Sequence, residues 1–245
     1  ALPILTLTQK QLFTNGSAFT LSGNTGTLAI KDDGSSSKVF NISGIVFTPG
    51  ETQTITMDGH ATDANTMTGS AAADSITGGA GKDTIVAGGG NDTITGGDGA
   101  DTINFNAGTD TYKHDAVNDS YVGDIVSGTT VISASVDVVT GAGNNDVFNF
   151  ALTTALGGAI TGEAATTTLL TTPTGTTSNI DIIRGTYNGS VFTVGNTAAD
   201  DDYMFQVVDA EAGAADTLHS VVLLDVVGTV TFNSTTAGVV TLLVA

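Results

Sequence analysis

Five aspartates stand nine residues apart in this chain: Asp74, Asp83, Asp92, Asp101 and Asp110. Two places after each comes a large apolar residue, in turn Ile76, Ile85, Ile94, Ile103 and Tyr112. Written in rows of nine from Gly69 to Lys113, the sixth place is always Asp and the eighth always large and apolar. The three central rows carry glycine at the second place (Gly79, Gly88, Gly97) and at the fourth (Gly81, Gly90, Gly99), and Gly108 holds the fourth place of the last row. Self-similarity at a short fixed period is the mark of a chain that coils and stacks on itself. Six residues make a turn, in which glycine permits positive φ and close approach of backbone. The last three make a minimal strand whose apolar middle residue faces inward.

A carboxylate repeated at one place of a glycine-rich turn, among exposed carbonyls, suits a hard cation. Calcium takes six to eight oxygens from carboxylates and backbone carbonyls. The rows resemble the RTX family, the glycine- and aspartate-rich nonapeptide repeats of secreted bacterial proteins, with the pattern G-G-x-G-x-D-x-U-x. That resemblance implies an all-β fold, a calcium-binding parallel β-roll, flanked here by further β-sandwich or β-solenoid segments. In the family's roll two nonapeptides complete one coil. Asp74, Asp92 and Asp110 are then expected along one edge, and Asp83 and Asp101 along the other. Up to three calcium sites follow, pairing rows one and three, two and four, and three and five. The middle pair is the most complete. Row one, Gly69-Ser70-Ala71-Ala72-Ala73-Asp74, lacks the second and fourth glycines, and row five opens Phe105-Asn106-Ala107-Gly108, so both read as caps on the roll.

A weaker echo follows. Asp137 and Asp146 are nine apart and keep an apolar residue two places on, Val139 and Phe148. The turn Gly141-Ala142-Gly143-Asn144-Asn145-Asp146 reads as a decayed copy, with Asn144 at a left-handed position. Asp115 and Asp124 share the spacing, so the solenoid is expected to run to about residue 150, with Asp137 and Asp146 as further metal ligands. Three regions result: 1–68, short strands with turns; 69–150, the roll and its decayed repeats; and 151–245, a C-terminal β region. Within the last, residues 151–180 read as loop around Pro173, and strands return after Ile180.

Composition agrees with this reading. Net charge is −19, and 22 of the 25 acids are Asp, the carboxylate suited to tight turns. Such acidity repels phosphates, which argues against nucleic acid and anionic membrane as partners. No Cys is present, which excludes disulfides, thiolate catalysis and Cys-ligated metals. No apolar run approaches the roughly 20 residues of a membrane-spanning helix. The start, Ala1-Leu2-Pro3-Ile4-Leu5, has neither a basic leader nor an initiator Met, which suggests a processed chain or a fragment.

Other motifs fail. Gly79-Ala80-Gly81-Lys82-Asp83 imitates a phosphate loop, but Asp83 stands where Ser or Thr is required, and Ile76 where the first Gly is. There is no nucleophile elbow and no zinc helix. His60, His114 and His219 stand alone and read as surface or turn residues, and Asp200-Asp201-Asp202 as a solvated turn rather than a cation site. No enzymatic activity is expected.

The C-terminal strands, from Asp202-Tyr203-Met204-Phe205 to the closing Val239-Val240-Thr241-Leu242-Leu243-Val244-Ala245, resemble the end of type I secreted RTX proteins, above all surface-layer proteins of the Caulobacter type. This implies export by the type I secretion machinery, an extracellular place at the bacterial cell surface, calcium-dependent contacts with copies of itself, and cell-surface polysaccharide as a further partner. The alternative is the calcium-binding and secretion module of an RTX enzyme or adhesin.

Overall fold

The computed structural model describes residues 4–8, 20–21, 25–31, 39–43, 46–47, 52–59, 62–114, 130–132, 136–150, 179–189, 191–194, 202–209, 217–226, 230–236 and 239–244. Among them every regular element is a β-strand. Glycine, Thr and other β-branched residues are abundant, and Glu, Lys and Arg, the charged helix formers, number only nine together. The expected strands at Asp115 and Asp124, and the loop at 151–178, lie outside the described residues.

Two large sheets face each other. In one, strands Ile4–Thr8, Thr25–Lys31, Thr52–Asp58, Asp74–Ala80, Thr93–Asp98, Thr111–Lys113 and Val147–Asn149 follow in order, all parallel. In the other, Val39–Asn41, Thr66–Thr68, Thr84–Val86, Thr102–Asn104 and Asp137–Thr140 do the same. Successive nonapeptides thus alternate between sheets, and each coil takes 18 residues: Ile76 pairs with Ile94, and Ile85 with Ile103.

The apolar eighth places form the core. On the first sheet Met57, Ile76, Ile94, Tyr112 and Phe148 stack in register, and on the second Met67, Ile85, Ile103 and Val139. Each is at most 1% exposed, so each contributes about 1.5–3 kcal/mol of burial. Facing aromatics Phe105, Phe148 and Phe205 fill the space farther along, at centroid separations of 5.9 and 5.0 Å.

Of the two forms expected for the flanking segments, the N-terminal strands take the solenoid: Thr27 pairs in parallel with Thr54, and Val39 with Thr66, in wider coils of 27 residues. Other expectations need correction. Rows one and five are therefore interior coils rather than caps, since Ile55 pairs with Asp74 before row one and Thr111 with Val147 after row five. The strands Asp74–Ala80 and Thr93–Asp98 are not minimal three-residue strands; their pairing continues through the glycines, Gly79 opposite Gly97.

Beyond residue 150 the direction of pairing changes. Strand Thr217–Leu223 adds in parallel to Asp137–Thr140, then Asp202–Asp209, Asn179–Tyr187 and Val191–Val194 continue antiparallel, with Thr130–Ile132 at the edge. Strand Val239–Val244 covers Val147–Asn149 antiparallel and is itself covered by Val230–Thr236. Both sheets of the roll thus run on into C-terminal strands. Asp202 is no solvated turn: it is 4% exposed, and its carboxylate accepts the N–H of Tyr187 at 2.6 Å and of Asp225 at 3.1 Å. Burial demands such partners, and the carboxylate fastens two strand ends.

Candidate metal centre

The aspartates of the nine-residue register lie in two columns, one on each edge of the roll. In the first, the N–H of Asp74 donates to Asp92 Oδ1 (2.8 Å), that of Asp92 to Asp110 Oδ1 (2.8 Å) and that of Asp110 to Asp146 Oδ1 (2.7 Å). In the second, the N–H of Asp83 donates to Asp101 Oδ1 (2.7 Å), and that of Asp101 to Asp137 Oδ1 (2.9 Å). Each of these acceptor carboxylates therefore holds the preceding turn of its column, whereas that of Asp74 accepts from Ser70 within its own turn. All seven are buried, at 2% exposure or less.

The second column begins one coil before Asp83, in the nonapeptide that precedes row one. Asn65 occupies the sixth place of residues 60–68, with Met67 at the eighth. Its N–H and Nδ2 donate to Asp83 Oδ1 at 2.6 and 2.9 Å. The substitution of amide for carboxylate hides this row from a search for Asp, although the apolar Met67 keeps the register.

The glycines meet the geometry their places require. Gly79, Gly81, Gly88, Gly90, Gly97, Gly99 and Gly108 all have positive φ, between 96° and 150°. At Gly97, with φ of 96°, a methyl group would also stand 1.9 Å from the carbonyl oxygen of Gly79. The turns stack this closely because no side chain separates them, and backbone bonds such as Gly81 N–H to Asp98 O (2.7 Å) join them. In the decayed turn positive φ falls on Gly141 (71°) and Asn145 (75°), not on Asn144. Asn tolerates that region better than most residues.

What remains is the second oxygen of each carboxylate. Oδ2 of Asp83, Asp92 and Asp101 is buried with no hydrogen-bond partner. Leaving a charged oxygen so is costly unless something else supplies positive charge. Burial accordingly pushes the Asp92 carboxyl up to about 7, helped by the charges of Asp74 and Asp110. Burial and then the neighbouring charge of Asp137 push Asp101 up to about 8. Asp74 and Asp110 rise to about 6, chiefly by burial, and Asp83 and Asp146 rise for the same reason. At two of these oxygens the room depends on glycine: a methyl on Gly78 would stand 2.2 Å from Asp83 Oδ2, and one on Gly96 2.2 Å from Asp101 Oδ2.

This donor set fits calcium. Among the described residues no three or more His, Cys, Asp or Glu gather at one point, so an ion at these turns would draw most of its ligands from elsewhere than side-chain carboxylates. An oxygen-preferring ion would take one or two carboxylates and complete six to eight ligands from backbone carbonyls. It would supply the positive charge that the stacked carboxylates lack.

His114 departs from its expected surface position. It is 1% exposed, its Nδ1 lies 3.0 Å from Tyr112 Oη, and that hydroxyl donates to Asp137 Oδ2 at 2.5 Å. The phenol at an apolar eighth place gave no sign of this polar role in the sequence.

Residues 61–93 and 77–112 match the hemolysin-type family described as the RTX calcium-binding nonapeptide repeat, four copies. A search of curated proteins finds no match to this chain. Repeats of this type are typical of secreted proteins. The nine-residue repeats within residues 61–112 are thus RTX calcium-binding nonapeptide repeats, and calcium is their cofactor.

Proposed function

We propose that the chain is a calcium-dependent structural protein, secreted to the bacterial cell surface, where it assembles with copies of itself as a surface-layer component. The observation that carries this reading is the continuity of one core through the calcium-binding coils into the flanking strands, from Ile30 to Leu242. Calcium bound at the repeats would then set the order of the whole β assembly rather than of an appended tag. On this reading the protein has no catalytic role. The type I secretion machinery handles the chain where calcium is scarce and the stacked carboxylates hold the coils apart. Outside, calcium joins the coils.

Edge strands support association between copies. Val39–Asn41 ends the ten-stranded sheet, and Val39 is 53% exposed there. Only five Lys and one Arg are present in the chain to blunt such edges. Cell-surface polysaccharide is a further partner on this reading. The test is electron microscopy of the purified protein with millimolar calcium and with chelator. Ordered sheets only in calcium are expected. Monodisperse particles in both conditions would overturn the surface-layer reading and favour the module of a secreted enzyme or adhesin.

A further inference from the structure

Six of the seven aspartates, all but Asp74, use Oδ1 to hold the preceding turn of their column, and the Oδ2 atoms differ. At one end of the first column, Asp74 Oδ2 accepts the N–H of Ser70 at 2.6 Å, and the Ser70 hydroxyl adds a bond to Oδ1 at 3.2 Å. At the other end, Asp146 Oδ2 accepts the N–H of Gly143 at 2.7 Å. In the second column Asp137 Oδ2 accepts the Tyr112 hydroxyl at 2.5 Å. Between these, Oδ2 of Asp83, Asp92 and Asp101 is buried and has no partner. A carboxylate oxygen already holding a short hydrogen bond gives up that bond when it turns to a metal. A buried oxygen without one gives up nothing.

We infer that calcium is taken by Asp83, Asp92 and Asp101, and that Asp74, Asp137 and Asp146, though in the same register, are closed by protein donors and serve as metal-independent ends of the columns. The chain's departures from the repeat explain the division. Ser70 replaces the second-place glycine of row one, and its hydroxyl reaches the carboxylate. Tyr112 replaces the aliphatic eighth-place residue, and its length carries a hydroxyl to Asp137. The turn before Asp146 folds back so that Gly143 caps its own aspartate. The inference rests on the calcium reading above and assigns its residues.

Native mass spectrometry of the full chain counts bound calcium in the parent and in the isosteric variants Asp83→Asn, Asp92→Asn, Asp101→Asn, Asp74→Asn and Asp146→Asn. The first three are each expected to lose at least one ion and the last two to keep the parent count. A lost ion in Asp74→Asn or Asp146→Asn with parent-like circular dichroism in calcium would overturn the assignment, as would an unchanged count in the other three. A crystal structure of the parent grown in calcium gives the same answer without substitution. Metal–oxygen distances of about 2.3–2.6 Å are expected at Oδ2 of Asp83, Asp92 and Asp101. Such distances at Asp74, Asp137 or Asp146 refute the division. A parent that binds no calcium at all refutes instead the calcium reading on which the division rests.

Discussion

Each aspartate of the register acts through two oxygens with different tasks. In all but Asp74, Oδ1 ties one coil to the last, a task that Asn65 shows an amide side chain can share by donating to Asp83. Oδ2 of Asp83, Asp92 and Asp101 has no hydrogen-bond partner, and at Asp83 and Asp101 the room beside it exists because Gly78 and Gly96 lack a Cβ. Protons and calcium therefore compete for the same oxygens. The folded, metal-free carboxyls of Asp92 and Asp101 lie at about 7 and about 8, against 3.8 for the unfolded group. Groups raised on folding stabilise the fold below the unfolded value, and that contribution is lost as pH rises through the folded values. In chelator, strand content by far-ultraviolet circular dichroism is expected to be greater at pH 5 than at pH 8.5, and the gain on adding calcium smaller at pH 5. A flat profile in chelator would contradict this. The backbone makes a separate demand at Gly97. Gly97→Ala combines a left-handed φ, costing about 1–2 kcal/mol, with a collision against the Gly79 carbonyl. The calcium midpoint for folding is expected to rise about tenfold or more, since 1.4 kcal/mol is a factor of ten. Gly143→Ala is the control. Its added methyl meets only Asp146 Oδ2, at 4.0 Å, and the midpoint should hardly move.

At the scale of the strand, the roll was legible because one short period specifies turn, strand and inward residue at once. The same period conceals where coils are missing. Asp101 is followed in its column by Asp137, and Asp110 by Asp146, each 36 residues on. That interval is a whole number of nonapeptides, so the register alone does not distinguish two further coils from an excursion that returns in phase. The closing strands were legible as strands from their alternation, but not their partners, because pairing across tens of residues leaves no mark on local pattern. Val239–Val244 covers Val147–Asn149 with Val240 opposite Phe148, and Val240 is fully buried whereas Thr241 faces partly outward. Val240→Asp places a charge without a partner against the aromatic end of the core. It is expected to cost more than about 2 kcal/mol by urea denaturation in saturating calcium. Thr241→Asp, on the outer face of the same strand, is expected to stay within about 0.5 kcal/mol. Equal losses would mean that the strand does not cover the roll as described.

For the whole molecule, the question is whether calcium orders a segment or the entire chain. Nothing in the sequence answers it, because the complete nonapeptides stop near Lys113, their decayed copies near residue 150, and the C-terminal strands carry no metal pattern of their own. The sheets carry the answer. On the second sheet the buried column of the roll runs from Ile103 to Val139 and then, across a parallel pair, to Leu223, which lies opposite Tyr203 in the antiparallel region. On the first it runs from Tyr112 to Phe148 and to Val240. The C-terminal strands thus take one side of their core from coils that the stacked carboxylates oppose without calcium. Strands deprived of that side lose the apolar burial that offsets their ordering entropy. Their folding should therefore follow that of the roll. Hydrogen exchange at increasing calcium is expected to show the amides of Thr102 in the roll and of Phe205 in the C-terminal sheet gaining protection at one common midpoint. Asp101→Asn should move both together. Protection of Phe205 already complete in chelator, with Thr102 alone responding to calcium, would show that the C-terminal sheet is an independent body and that calcium acts on the roll only.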